Sequence, residues 1–375
     1  MNPEPKIRVR FGHQVFCRQS YGGISRYFAE LASCLARSSR CQVDVLAPMH
    51  INSHLSNLNL KSVHGFRVPY SHYAARAIRW SNSALGILAA RISSGVDVYH
   101  ETYYEMFDSA PARALRVTTV HDMIHELFPG SFRGLDATRQ AKLRSIQRAD
   151  HIICVSENTR SDLVRLLGVD ADRVSVVHHG NSMAAYADTP ATASANPAYL
   201  LFVGSRGGYK NFGALVAALG SRHLSQSGIR LVCFGGGDFR PSELAHIEAN
   251  GLTGRVEQVD GDDLVLAGLY RSALALVYPS LYEGFGIPLV EAMSLSCPVV
   301  CGDRSSLPEV AGDAAEYFDP ADIDSIALAI ERVLSSVVRR DELVDLGLAR
   351  ARAFSWEKCA NETLSAYVKA MGTAP

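Results

Sequence analysis

Two glutamates eight positions apart, Glu283 and Glu291, bracket the run Gly284-Phe285-Gly286-Ile287-Pro288. An ionised carboxylate only accepts hydrogen bonds and can grip two neighbouring hydroxyls. Gly284 and Gly286 leave the backbone bare, so a ligand can approach main-chain N–H groups closely. Pro288 suits the first turn of a helix, where its missing N–H would have had no partner. A helix start in turn offers oriented donors and positive potential to a phosphate. Diol acceptors beside phosphate donors describe a pocket for a nucleotide sugar.

Positive charge is concentrated in Val203-Gly-Ser-Arg-Gly-Gly-Tyr-Lys-Asn211, between a predicted strand and a predicted helix. Arg206 can hold oxygens bidentately and Lys210 can act as a point charge, with Gly204 and Asn211 at the two ends of the turn. Gly22 and Gly23, in Tyr21-Gly-Gly-Ile-Ser-Arg26, occupy the first strand-to-helix turn, where backbone amides can face a phosphate or an acceptor. This is not a G-x-G-x-x-G fingerprint, which argues against a dinucleotide-dependent dehydrogenase. His121 and Asp122 end a further strand, where ligand-facing residues collect in open α/β sheets, and an imidazole there suits a sugar hydroxyl. His100 and Glu101 end another strand and suit either an acceptor contact or a plain polar strand end. Gly235-Gly236-Gly237 also follows a strand and is expected to turn beneath the nucleotide. The pair His178-His179 has no partner at metal-ligand spacing, and Asp260-Gly-Asp-Asp263 reads as a helix cap, so no metal and no cofactor are expected.

These residues need a scaffold that delivers several strand ends to one place. The first half of the chain alternates short strands with helices. Strands are expected over 7–11, 41–46, 96–99, 116–120, 151–155 and 174–177, with helices over 25–37 and 156–167. Residues 181–197 are small, polar and Pro-interrupted, as in a linker. A second series follows, with strands over 199–203, 230–234, 273–277 and 298–301 and helices over 211–219 and 323–334. Two doubly wound α/β domains result, with ligands expected at the carboxyl ends of the strands. A length of 375 residues suits two domains, and a net charge of -1 provides no field for nucleic acid. The eight scattered cysteines lack a C-x-x-C pair and suit a reducing cytoplasm. Met1–Arg10 has no apolar core of a secretory signal. Residues 73–91 set Arg76, Arg79 and Arg91 beside Ile78, Trp80, Leu85 and Leu88, a pattern suited to packing on a sheet or to resting on an anionic membrane.

The segment Leu281–Glu291 resembles the E-x7-E motif of retaining glycosyltransferases of the GT-B fold, in particular family 4. The likeness extends from Tyr270-Arg-Ser-Ala through Tyr278-Pro-Ser-Leu-Tyr to Ser306-Leu-Pro-Glu-Val-Ala-Gly312. It implies two Rossmann-like domains facing each other across a cleft. The acceptor domain would span 1–183, a linker 184–197 and the nucleotide-sugar domain 198–355, with the helix 356–372 packing back on the first domain. It implies that Arg206 and Lys210 stabilise the departing diphosphate, that Glu291 holds the ribose and that Glu283 contacts the donor sugar without acting as a nucleophile. Gly22, Gly23, Gly204, Asn211, Gly284, Phe285, Gly286 and Ile287 would complete the donor site, and His121 would touch the donor sugar. Tyr21, Arg26, His100, Glu101 and Asp122 would face the acceptor. His178-His179 departs from the Asn-Gly often found there. The glycine loop and the R-x-x-x-K-N wording resemble bacterial polysaccharide enzymes, which inclines the donor to GDP-mannose and the acceptor to a glycan or lipid-linked oligosaccharide at the inner membrane face. The alternatives are a nucleotide-sugar epimerase and a binding protein that kept the fold without turnover.

Overall fold

The structure is a computed structural model that describes residues 6–57, 62–69, 72–92, 95–131, 136–188 and 198–373. The chain divides into two compact units, one of residues 1–180 with 356–375 and one of residues 181–355. Most of the expected linker, residues 189–197, lies outside the described residues. Met183–Tyr186, just before it, forms a short 3-10 turn within the second unit.

The first unit is built on seven parallel strands: β1 (Ile7–Phe11), β2 (Cys41–His50), β3 (Val63–Arg67), β4 (Val98–Glu101), β5 (Leu115–Val120), β6 (His151–Cys154) and β7 (Val174–Val176). Their order is β3-β2-β1-β4-β5-β6-β7, so the winding reverses between β1 and β4. The helix Gly23–Arg37 buries Phe28, Leu31 and Leu35 against this sheet, as its apolar spacing predicts, with Ile24 of the same face half-buried and Tyr27 buried beside them. The helix Trp356–Thr373 belongs to the same unit although it follows the second one in sequence. Its Cys359, Leu364 and Tyr367 share a core with Val9, Phe11 and Phe28.

The second unit carries six parallel strands: β8 (Tyr199–Val203), β9 (Arg230–Phe234), β10 (Val256–Val259), β11 (Ala275–Tyr278), β12 (Val299–Gly302) and β13 (Ala315–Phe318). The order β10-β9-β8-β11-β12-β13 reverses between β8 and β11. The central strands β8, β11 and β12 are buried along their whole length, and their near-continuous apolar runs follow from helices covering both faces.

Three strands escape the sequence pattern: β3, β10 and β13. Each is a sheet edge. Edge strands have one unpaired side and carry more polar residues, as in Val63-His-Gly-Phe-Arg67 and Val256-Glu-Gln-Val259, so the apolar signal is missing there. The helix His72–Ile92 packs on β2 through Asn82, whose amide bonds both the N–H and the carbonyl of Met49, at 2.9 and 2.7 Å. Trp80, Leu85 and Leu88 stay exposed on it. No helix among the described residues is long and apolar enough to cross a membrane.

Candidate active site

In the second unit the predicted chemistry gathers where the winding reverses. The segment leaving β8 carries Arg206 and Lys210, and the segment leaving the neighbouring β11 carries Glu283 and then Glu291. In open α/β sheets this switch point is where the strand ends splay and ligands bind.

The two loops are stitched together by the backbone. The Leu281 N–H donates to the Tyr209 carbonyl at 2.8 Å. Asn211 takes a left-handed conformation (φ 57°), which Asn tolerates better than most residues, and its amide donates to the carbonyls of Pro279 and Pro320 at 3.2 and 2.7 Å. That turn aims Lys210 across the gap between the loops. Its Nζ donates to Glu283 Oε1 at 2.7 Å and to the Tyr278 hydroxyl at 2.9 Å. Both members of the ion pair are largely buried, with side-chain exposures of 14% and 10%. A charge pair removed from water this far is retained only with good geometry and further hydrogen bonds. The main chain that carries Glu283 is fixed as well: its N–H donates to Ser305 Oγ at 2.9 Å, and the single Ser306 O–H lies within reach of the carbonyls of Glu283 and Phe285, at 3.0 and 2.9 Å. Burial, with Glu283 next in weight, pushes the Tyr278 hydroxyl well above its ordinary range, so it stays protonated.

Gly286 sits at φ 100° and introduces the helix Ile287–Ser294, with Pro288 in its first turn. A Cβ on Gly286 would lie 2.9 Å from a Leu307 methyl, so the chain needs glycine there for both conformation and space. Phe285 is buried edge-on against Phe354, which makes its side chain a packing element; Gly284 is buried beside it and Ile287 is half-buried. One turn into the helix, Glu291 is buried and accepts a hydrogen bond of 3.0 Å from the Tyr270 hydroxyl. Tyr270 and Tyr278 thus orient the site although no spacing pattern singles them out; their place in Tyr270-Arg-Ser-Ala and Tyr278-Pro-Ser-Leu-Tyr is the signal the sequence carries.

Arg206 is engaged differently from Lys210. Its guanidinium donates to the carbonyls of Gly235, Gly237 and Asp238 at 3.0, 2.6 and 2.9 Å and lies 3.4 Å from Glu243. Gly235, Gly236 and Gly237 all have positive φ, and this run turns their carbonyls onto the arginine. Arg206 therefore holds the glycine loop after β9, while Lys210 holds Glu283. Gly204, at φ 123°, joins the same arrangement by donating its N–H to the Phe234 carbonyl at 2.9 Å.

The first unit presents the remaining candidates. His121 follows β5 directly, is 7% exposed, and finds no hydrogen-bond partner for either ring nitrogen among the described residues. It lies against the rings of Tyr27, Phe28 and His179. Burial, with smaller contributions from His100 and Lys142, lowers its pKa to about 3, so the ring is neutral and offers one donor and one acceptor. Asp122 caps the following turn by accepting the Ile124 N–H at 3.1 Å. Lys142, fully buried, fixes this turn from below by donating to the Asp122 carbonyl at 2.9 Å and to Glu126 at 2.7 Å.

Gly22 precedes the helix Gly23–Arg37, and the side chain of Gln19 accepts the Ser25 N–H at 3.1 Å. Tyr21 is half exposed and carries the Arg26 guanidinium against its ring and hydroxyl. His100 and Glu101 do not face an acceptor. His100 is fully buried, with Nδ1 2.6 Å from the Tyr367 hydroxyl and Nε2 2.8 Å from Thr119 Oγ1, and Glu101 is buried in an ion pair with Arg148. The sequence placed both at a strand end, but the helix Trp356–Thr373 covers His100 and the helix Ala137–Arg148 covers Glu101. No group of three or more His, Cys, Asp or Glu is arranged to hold a metal among the described residues.

Residues 21–182 match the family described as Glycosyltransferase Family 4, and residues 189–346 match that described as Glycosyl transferases group 1. The chain is 33% identical over 265 residues to O-antigen chain mannosyltransferase B of Escherichia coli, covering 67% of this chain and 69% of that protein. It is 28% identical over 218 residues to O-antigen chain mannosyltransferase RfbU of Salmonella typhimurium, covering 57% of this chain and 60% of that protein. Sucrose-phosphate synthase from Thermosynechococcus elongatus shares the fold, with a TM-score of 0.74, 19% identity, and 99% of this chain and 100% of that one covered. The chain thus belongs to family 4 of the glycosyltransferases and is a glycosyltransferase of the GT-B fold.

Proposed function

We propose that this enzyme transfers mannose from GDP-mannose, with retention, to a glycan or lipid-linked oligosaccharide during surface-polysaccharide assembly. The observation that carries the reading is the buried bridge from Lys210 to Glu283 and Tyr278, held where two loops meet at the switch point of the second sheet. The two O-antigen mannosyltransferases among its relatives support the choice of sugar and of pathway class.

Negative charge grows on the departing diphosphate as the glycosidic bond breaks, and a fixed cation aimed at it is usually the largest single catalytic contribution. Lys210 is that cation in this reading. Phosphate oxygens entering the loop compete with Glu283 for the ammonium, which frees the carboxylate to accept from donor-sugar hydroxyls. Arg206 adds charge and keeps the Gly235–Asp238 turn in shape. Glu291, oriented by Tyr270, accepts from the ribose hydroxyls, and the amides of Gly284 to Gly286 face sugar and phosphate. The neutral His121 hydrogen-bonds a donor-sugar hydroxyl. Departure and attack occur on one face of the sugar, and the leaving phosphate takes the acceptor's proton. Two protein cations meet the charge requirement, so the reaction is read as metal-independent. A lipid-linked acceptor would bring the enzyme to the cytoplasmic face of the inner membrane.

The test is release of nucleoside diphosphate from GDP-, UDP-, dTDP- and ADP-sugars, with and without glycan acceptors, beside thermal shifts with the free nucleotides. Binding to the folded state raises stability by mass action. The largest shift is expected with GDP, and turnover with GDP-mannose in the presence of chelator. Turnover confined to another donor would overturn the assignment of mannose.

A further inference from the structure

The first unit contains an open cavity of about 220 Å³ that no catalytic residue lines. Its walls include Arg18 from the segment after β1, Tyr103, Glu105 and Phe107 from the segment after β4, and Arg79 and Trp80 from the helix His72–Ile92. β1 and β4 are the pair between which the first sheet reverses its winding. The cavity therefore occupies in the first sheet the position that the Lys210–Glu283 site occupies in the second, which is where open α/β sheets take ligands.

The lining has a definite chemistry. Trp80 is 62% exposed and Phe107 46% exposed, with ring centroids 5.8 Å apart, an unusual display of large apolar rings on a surface. The Arg18 guanidinium lies over the Tyr103 ring at 5.5 Å. Neither Arg18 nor Arg79 is ion-paired through its side chain among the described residues. The acid of the cavity, Glu105, is already held by Ser83 Oγ at 2.6 Å and by His13 at 3.4 Å. Aromatic faces take up the apolar C–H face of a sugar, and guanidinium groups recognise phosphate and carboxylate. The volume falls below the roughly 300–1,000 Å³ of pockets that enclose whole ligands, as suits one unit of a longer molecule. The cavity also adjoins the His121 turn: Tyr104 lines it and accepts the His121 N–H at 3.3 Å.

We propose that this cavity is an acceptor subsite for an anionic sugar unit, stacked on Trp80 and Phe107 and bound through its phosphate or carboxylate by Arg18 and Arg79. The proposal rests on the reading of the chain as a polysaccharide glycosyltransferase and names the acceptor chemistry that reading leaves open.

Tryptophan emission of the full chain, titrated without any nucleotide sugar, tests it with mannose 1-phosphate, glucuronate and the neutral methyl α-mannoside as probes. At least one anionic probe is expected to change the emission at a concentration tenfold or more below that needed for the neutral sugar, and less so at high salt. A response to the phosphate points to the carrier end of the acceptor, and a response to the carboxylate points to an acidic repeat unit. Trp80→Phe should abolish the signal, and Arg18→Ala combined with Arg79→Ala should remove the preference for anions while the thermal midpoint is unchanged. Equal response to neutral and anionic sugars, a signal that survives Trp80→Phe, or an anion preference that survives the paired arginine substitutions would overturn the subsite. Because no donor is present, this outcome is independent of whether GDP-mannose is the substrate.

Discussion

At the scale of single residues, Lys210 and Glu291 are each made specific by a neighbour that their local sequence does not reveal. Lys210 is held between Glu283 and Tyr278, which fixes an otherwise flexible ammonium. Lys210→Ala removes a preorganised cation, and kcat for nucleoside-diphosphate release should fall by roughly 10²–10³ with a smaller change in donor KM. Lys210→Arg should restore little, because a planar fork does not replace a point charge between a carboxylate and a phenol. Tyr270→Phe leaves Glu291 buried without its 3.0 Å donor. One such hydrogen bond is worth on the order of 1 kcal/mol. GDP affinity, read by titration calorimetry, should weaken roughly five- to tenfold with kcat nearly unchanged.

At the scale of elements, the site depends on turns that only particular residues can make. Gly286 combines φ 100° with a close approach to Leu307, and it sets where the helix Ile287–Ser294 begins. Gly286→Ala should cost about 1–3 kcal/mol in urea unfolding of the second unit, the usual penalty for forcing a side chain into such a conformation. Activity should fall further than stability, since the same turn positions Glu283 and Glu291. These turns were legible in the sequence, because glycine and proline at fixed spacing carry local conformational information. The edge strands β3, β10 and β13 were not, because a strand paired on one side only needs no continuous apolar run.

At the scale of the molecule, the first unit carries several histidines that the fold keeps neutral. Burial lowers His100 and His121 to about 3 and His151 to about 4, from an ordinary value of 6.5. In the unfolded chain these groups take up protons below about pH 6.5, while in the folded unit they resist until pH 3 or 4. Their stabilising contribution is complete above 6.5 and is lost as the pH falls through that window. Glu101 opposes the trend: burial raises it to about 7 from 4.5, so its contribution is complete below 4.5 and is lost as pH rises through 7. Burial lowers His50 and His179 of the same unit as well, so the histidines outweigh the one raised carboxyl and acid destabilises the fold. Both tryptophans, Trp80 and Trp356, lie in the first unit, so their emission reports on it alone. The urea midpoint followed this way should fall between pH 7 and pH 5, and His121→Phe should flatten the slope.

The amino-acid sequence by itself determined the alternation of strand and helix, the two parallel sheets and the stretches that carry charge and glycine at the strand ends. Those features are local: periodicity, turn residues and apolar runs are written within a dozen positions. Tertiary structure alone decided which partners each charged group acquired. Arg206 went to a glycine loop some thirty residues away, Tyr270 to Glu291, and His100 to a tyrosine 267 positions further along the chain. The helix that supplies that tyrosine buries a strand end that looked open in the sequence. Burial and pairing are set by how the sheets are covered, and no window of neighbouring residues contains that information.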